Sequence, residues 1–173
     1  MDGFTPLVAG HATAATLAMV LGAVNAVRRR RGDPAHRLIG RVWAAAMYLT
    51  AGSSFWIQDL RPGSFSWIHG LSVLTLVTLT LGLWRARRGD VRAHAANMIG
   101  TYLGLLGAFV GVVAVPSRLV PTAFQQDWLG MAAVTGAIVA AGLAFTWLVT
   151  RLLPASVGPP AAAGSGSARV PVG

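Results

Sequence analysis

The chain has 173 residues, 54% of them hydrophobic and 11% charged, and its mean hydropathy is +0.61. That polar share is too small to cover a water-soluble globule, so a soluble catalytic domain is excluded and the main solvent is lipid. The formal charge of +9 comes from 14 arginines against five aspartates, and the absence of cysteine removes disulfides, iron–sulfur clusters and thiolate nucleophiles from consideration.

In chain order, five apolar runs cover about residues 7–27, 38–57, 67–84, 95–115 and 128–153. Each is near the roughly 20 residues that span a bilayer core at about 1.5 Å per residue, so the expected fold is an all-α, polytopic membrane protein. The first run has no basic segment ahead of it and no small-residue cleavage site after it, and it reads as a retained helix. Arg28, Arg29, Arg30, Arg31, Arg37 and Arg41 follow the first run, and Arg85, Arg87, Arg88 and Arg92 follow the third. The alternate connections, 58–66 and 116–127, hold only Arg61 and Arg118. By the positive-inside rule the arginine-dense side is cytoplasmic, with the N-terminus outside and the C-terminus inside. Trp56, Trp67 and Trp128 then fall at the outer interface and Trp84 at the inner one, as membrane anchors. The arginines lie between apolar runs without interleaved aromatics, so no nucleic-acid partner is expected. Residues 154–173 are Pro, Ala, Gly and Ser with one Arg, a composition that predicts a disordered cytoplasmic tail.

The sequence also repeats. His11 opens the first run and His69 the third, and each is followed 25 residues later by a second histidine, His36 and His94. Between them lie Arg31-Gly32-Asp33 and Arg88-Gly89-Asp90, offset by 57 where the histidines are offset by 58, and one inserted residue after Asp90 reconciles the registers. Helices one and two therefore read as duplicated in three and four, forming a four-helix bundle with a fifth helix added. Asp33 and Asp90 are expected to be helix N-caps rather than parts of an adhesion signal, with Pro34 in a first turn.

All four histidines of the chain fall on this repeat. In an up-down-up-down bundle helices one and three lie diagonally, as do two and four, so His11 with His69 and His36 with His94 form two pairs at two depths. One imidazole above and one below a macrocycle is the ligand set of a six-coordinate haem iron, and the two planes are separated by roughly 28 Å less about 3 Å along the first helix. Two b-type haems so held make an electron path across the membrane, with Arg37, Arg41 and Arg92 positioned to pair with inner-haem propionates. A histidine at a helix start also sits naturally at headgroup level, and duplication copies a structural histidine as readily as a ligand. Met47 and Met98 read as core filling rather than axial ligands. Tyr48, Tyr102 and Ser53-Ser54 read as interhelical hydrogen-bonding groups, and Gly100, Gly104, Gly107 and Gly111 as a close helix contact. No arrangement resembles a nucleophile with its base, a phosphate-cradling loop or a zinc-protease helix.

The stretch His36-Arg37-Leu38-Ile39-Gly40-Arg41-Val42-Trp43 with Met47, then Phe65-Ser66 with His69, then His94 to Met98 and Tyr102, resembles a widespread bacterial family of predicted membrane proteins of unknown function. The resemblance covers about residues 7–120 and implies a multi-pass protein of the bacterial inner (plasma) membrane. A weaker similarity is to transmembrane di-haem cytochromes b, which hold two diagonal bis-histidine haems in four core helices; their histidines lie well inside the bilayer, while His36 and His94 sit nearer an edge. The leading expectation is a small electron carrier exchanging electrons with a quinone or a partner reductase; as an enzyme it would be an electron-transferring oxidoreductase subunit. Two other readings stand beside it. One is a membrane scaffold or subunit, including a homo-oligomer, whose arginine loops bind a partner or anionic lipid. The other is a small transporter, although the repeat is parallel and no intramembrane carboxylate offers a proton relay.

Overall fold

Two aspartates set where two of the helices begin. Asp33 accepts from the backbone N–H of His36 at 2.7 Å and Asp90 from that of Ala93 at 3.0 Å, each satisfying an orphan donor of a first helical turn. The computed structural model describes residues 5–57, 67–114 and 125–153. Its helices are α1 (Pro6–Val27), α2 (Pro34–Ser53), extended by a 3-10 turn (Ser54–Trp56), α3 (Trp67–Arg87), α4 (Val91–Val113) and α5 (Trp128–Leu152). Thr5 caps α1 ahead of Pro6, and Asp127 caps α5 through the N–H of Gly130 at 2.9 Å. The proposed tail, 154–173, lies outside the described residues, as do Arg61 and Arg118.

The hydropathy pattern places the starts of the second and fourth helices at 38 and 95; the structure begins them at Pro34 and Val91. The caps explain the difference, because a side-chain acceptor at position 33 or 90 allows a polar first turn that hydropathy alone does not detect. His36 and His94 therefore lie within helical first turns. The two connecting turns match in register: Gly32 and Gly89 have φ of +80° and +77°, which favours glycine, and Arg28 pairs with Asp33 as Arg85 pairs with Asp90. A single insertion does not account for the whole offset. His11 to Arg31 is 20 residues (31 − 11) and His69 to Arg88 is 19 (88 − 69), while Asp33 to His36 is 3 (36 − 33) and Asp90 to His94 is 4 (94 − 90). One residue is lost before the turn and one gained after it.

Substitution of Asp33 by alanine is expected to lower stability by about 1–2 kcal/mol through loss of the cap and of its partly buried ion pair. Asp90 to alanine should cost less, about 0.5–1 kcal/mol, because its ion pair is longer, at 3.3 Å, and exposed. Thermal unfolding of both variants in detergent gives the comparison; equal losses would show that the Arg28 pair contributes nothing.

α1 packs along α2 and α3 along α4, while α2–α3 and α4–α1 contacts close the ring of four; α5 lies against α1 and α2. The diagonal pairs are thus α1 with α3 and α2 with α4, as an up-down-up-down bundle requires. Along α2, Ala35, Ile39, Trp43, Met47 and Ala51 recur every four residues and are buried, so one stripe of this helix faces the core. Leu21, Ile39, Met47 and Leu79 are the largest fully buried side chains. The outside is equally apolar: Leu49, Leu74, Leu103, Leu129 and Val134 are all more than half exposed, an arrangement suited to lipid. Among the described residues α1, α4 and α5 are long and apolar enough to cross a membrane. α2 and α3 have comparable lengths, 20 and 21 residues, but are diluted by Arg37 and Arg41 in α2 and by Ser72, Thr75, Thr78 and Thr80 in α3.

The glycine face foreseen on α4 makes no close helix contact at Gly100, Gly104 or Gly107 among the described residues. Gly100, Gly104, Gly107 and Gly111 are exposed, and a Cβ at Gly100, Gly104 or Gly107 meets nothing within 4 Å. The close contacts use other glycines, because they fall on the buried stripes. A Cβ on Gly142 of α5 would lie 3.0 Å from Val20 of α1, and Gly22 of α1 lies under the rings of Trp43 and Tyr102.

Candidate functional site

At the arginine end of the bundle, His36 of α2 and His94 of α4 lie within electrostatic reach of each other. Each ring is fixed by the preceding helix. Nδ1 of His94 donates to the carbonyl oxygen of Gly82 at 2.9 Å, and Nδ1 of His36 donates to Oδ1 of Asn25 at the same distance. Asn25 and Gly82 are 57 apart, the offset of the two Arg-Gly-Asp turns, so the ring anchors come from equivalent positions, a side-chain oxygen in one half and a backbone carbonyl in the other. An imidazole whose Nδ1 proton is held by an oxygen carries its lone pair on Nε2, the tautomer that ligates metal. Near this end Arg37 bonds through Nε to the Gly32 carbonyl at 3.1 Å, while Arg41 and Arg92 are exposed.

At the far end, His11 of α1 donates from Nδ1 to Oγ of Ser53 at 2.9 Å, and Ser53 passes its own proton to the Leu49 carbonyl at 2.6 Å. His11 therefore has the same tautomer as the arginine-end pair. His69 of α3 is buried, its ring 6.0 Å from that of Phe55. Ser54 and Ser72 are hydrogen-bonded at 2.6 Å beside it. Both histidines of this pair thus contact the end of α2 and its 3-10 turn, His11 at Ser53 and His69 at Phe55.

Between the two ends, Trp43 is 5% exposed, and its indole N–H has no hydrogen-bond acceptor among the described residues. An orphaned donor inside a membrane bundle suits a site that takes a polar group. Met47 is buried and Met98 packs on the core against Gly82, so both fill space as their side chains suggest. Tyr48 meets Thr80 at 2.8 Å and Tyr102 donates to the Met19 carbonyl at 3.2 Å, tying α2 to α3 and α4 to α1. Asn25, Ser72 and Thr101 escape a search for titratable groups. Their spacing, three residues from His69 to Ser72 (72 − 69) and seven from His94 to Thr101 (101 − 94), is the signal that places the two hydroxyls on the histidines' helix faces, whereas Asn25 lies on the preceding helix and is found only through its contact with His36. Among the described residues no three histidines or carboxylates gather as a metal-holding group.

The model of a family of predicted membrane proteins, DUF2306, matches residues 8–153. The chain belongs to the DUF2306 family. The match runs through all five helices, so α5 is part of the DUF2306 unit and not an appendage to the duplicated pairs. No curated protein and no solved structure matches the chain. The DUF2306 description gives a membrane protein and no chemistry, so chemistry has to be argued from the histidines.

Proposed function

We propose that this DUF2306 protein is a small b-type electron carrier of the bacterial inner membrane, N-terminus outside and C-terminus cytoplasmic, holding two haems between histidine pairs. His36 and His94 hold the inner haem, His11 and His69 the outer one. The observation that carries the reading is the repeated ring anchor, with Nδ1 of His36 on Asn25 and Nδ1 of His94 on Gly82, leaving two Nε2 atoms as ligands. The donor chemistry fits: imidazoles on diagonal helices, an orphaned Trp43 N–H between the pairs, and Arg37, Arg41 and Arg92 at the inner end for propionates. Haem iron, when bound, supplies one-electron oxidation and reduction. The protein's residues fix the imidazole tautomers, exclude water from the core and hold the charge of the carboxylates. Electrons are exchanged with a quinone or a partner reductase at the two faces.

The test is optical. Protein expressed with ample haem and purified in detergent is expected to show a Soret band and reduced-minus-oxidised bands of two low-spin b haems. Absence of a Soret band ends the proposal.

A further inference from the structure

The two repeat turns share a backbone and differ in what they display. Each has its glycine at positive φ and its aspartate paired with an arginine, Arg28 with Asp33 at 2.9 Å and Arg85 with Asp90 at 3.3 Å. In the first turn the guanidinium groups turn back onto the chain: Arg28 is partly buried in its ion pair, and Arg31 donates to the Ala26 carbonyl at 3.3 Å. Arg88 stands 57 positions after Arg31, at the same place in the second turn, but its side-chain N–H groups meet no acceptor among the described residues. Its guanidinium carbon instead lies over the Trp84 ring, 4.1 Å from the centroid, and that of Arg85 lies over the same ring at 5.2 Å. The first turn has Val27 where the second has Trp84, and Val27 is exposed. The turn therefore forms without an aromatic ring, so folding does not require the stack of Arg88 on Trp84.

We infer that the turn between α3 and α4 is a binding site for one anionic membrane lipid, with Arg88 held on Trp84 to receive the phosphodiester of its headgroup. A guanidinium whose face rests on a ring keeps its N–H edges free, and those edges match phosphate oxygens two at a time. The ring also restrains a long side chain before the ligand arrives, which reduces the ordering that binding must supply. Trp84 is 39% exposed in the last turn of α3, where the apolar helix gives way to Arg85, Arg87 and Arg88. At that level an indole meets the glycerol and upper acyl chains of a lipid while the guanidinium groups face its headgroup. Charge selects the kind of lipid. Asp33 and Asp90 are each already paired, so Arg29, Arg30, Arg87 and Arg88 have no carboxylate partner among the described residues. The ammonium group of a zwitterionic lipid would meet these arginines and no free carboxylate, whereas an anionic headgroup meets only attraction. An interfacial anchor uses the indole alone, and the guanidinium on its face is what calls for an anion. Arg88 is not among the arginines assigned to propionates, and the inference does not rest on haem binding.

The full chain in a neutral detergent, titrated with phosphatidylglycerol or with phosphatidylcholine of the same acyl chains, is read by native mass spectrometry, which counts the lipids retained. One phosphatidylglycerol is expected to bind about tenfold more tightly than phosphatidylcholine. Arg88→Gln should remove about that factor of ten, and Trp84→Leu the greater part of it. Arg30→Gln, an equal loss of charge in the first turn, should change the affinity by less than about twofold. Arg88 is exposed, so its variant is expected to unfold at the temperature of the parent and decides the question even if Trp84→Leu misfolds. Equal affinity for the two lipids overturns the inference. So does equal weakening by Arg30→Gln and Arg88→Gln, which would reduce the site to general surface charge. Displacement of the lipid by an equal concentration of glycerophosphoglycerol, the same headgroup without acyl chains, would make the ligand a soluble phosphate ester and overturns it as well.

Discussion

Leucine in place of His94 is expected to abolish the spectral signature of one haem and leave the other intact, and leucine in place of His36 should give the same spectrum. The two rings anchor on equivalent positions of preceding helices and interact electrostatically, so on the proposed reading they serve as one ligand pair. Replacement of His11 or His69 should remove the other signature. The anchors give a finer test. Asn25→Leu keeps the ligand but frees its ring, and a lost partner of this kind weakens metal affinity by about 10- to 100-fold. His94, anchored on a backbone carbonyl, has no equivalent side-chain vulnerability. Haem titration of the Asn25→Leu protein should therefore show one weakened and one normal site. Equal loss of both signatures in all four histidine variants would mean that the histidines hold the fold together and would refute their assignment as ligands.

Valine at Gly22 is expected to be among the most disruptive single core changes. A Cβ there would lie 2.5 Å and 2.6 Å from ring carbons of Tyr102 and 2.7 Å from Nε1 of Trp43, closer than Cβ atoms approach other atoms. Neither ring can yield cheaply. Trp43 is buried, and Tyr102 is tied through its hydroxyl to the Met19 carbonyl. Overpacking of this kind typically costs about 1–3 kcal/mol for added methylene groups, and two rigid rings put Gly22→Val at or above the upper end. Gly22→Ala should lie nearer the lower end. Gly104→Ala is the control: it faces outward, with nothing within 4 Å, and should be neutral or slightly stabilising by up to about 1 kcal/mol through helix propensity. Thermal unfolding in detergent followed by tryptophan fluorescence ranks the three. If Gly22→Ala and Gly104→Ala unfold together, α1, α2 and α4 do not meet at Gly22.

Helix number, helix order and the membrane class follow from apolar runs of about 20 residues, because a backbone in lipid must satisfy its own hydrogen bonds. The N-cap roles of Asp33 and Asp90 were equally legible, since a capping carboxylate acts within three residues. The starts of α2 and α4 were less so: hydropathy cannot see a polar first turn that a cap makes possible. The α4 glycines show the limit of spacing arguments. Their helical periodicity defines a face, but only the packing of α4 on α3 and α1 decides whether that face meets protein or lipid.

The candidate site divides in the same way. The sequence by itself determined the four histidines, their equal 25-residue intervals and the turns between them, all properties of one dimension and local chemistry. Only the tertiary structure supplied their partners. Asn25, Gly82 and Ser53 became ring anchors because helices turned back on one another, and 42 residues separate Ser53 from His11. The hydroxyl pairs Ser54–Ser72 and Thr78–Thr101 form only once α2, α3 and α4 are packed, because a short hydrogen bond depends on an interhelical distance that no spacing along the chain encodes.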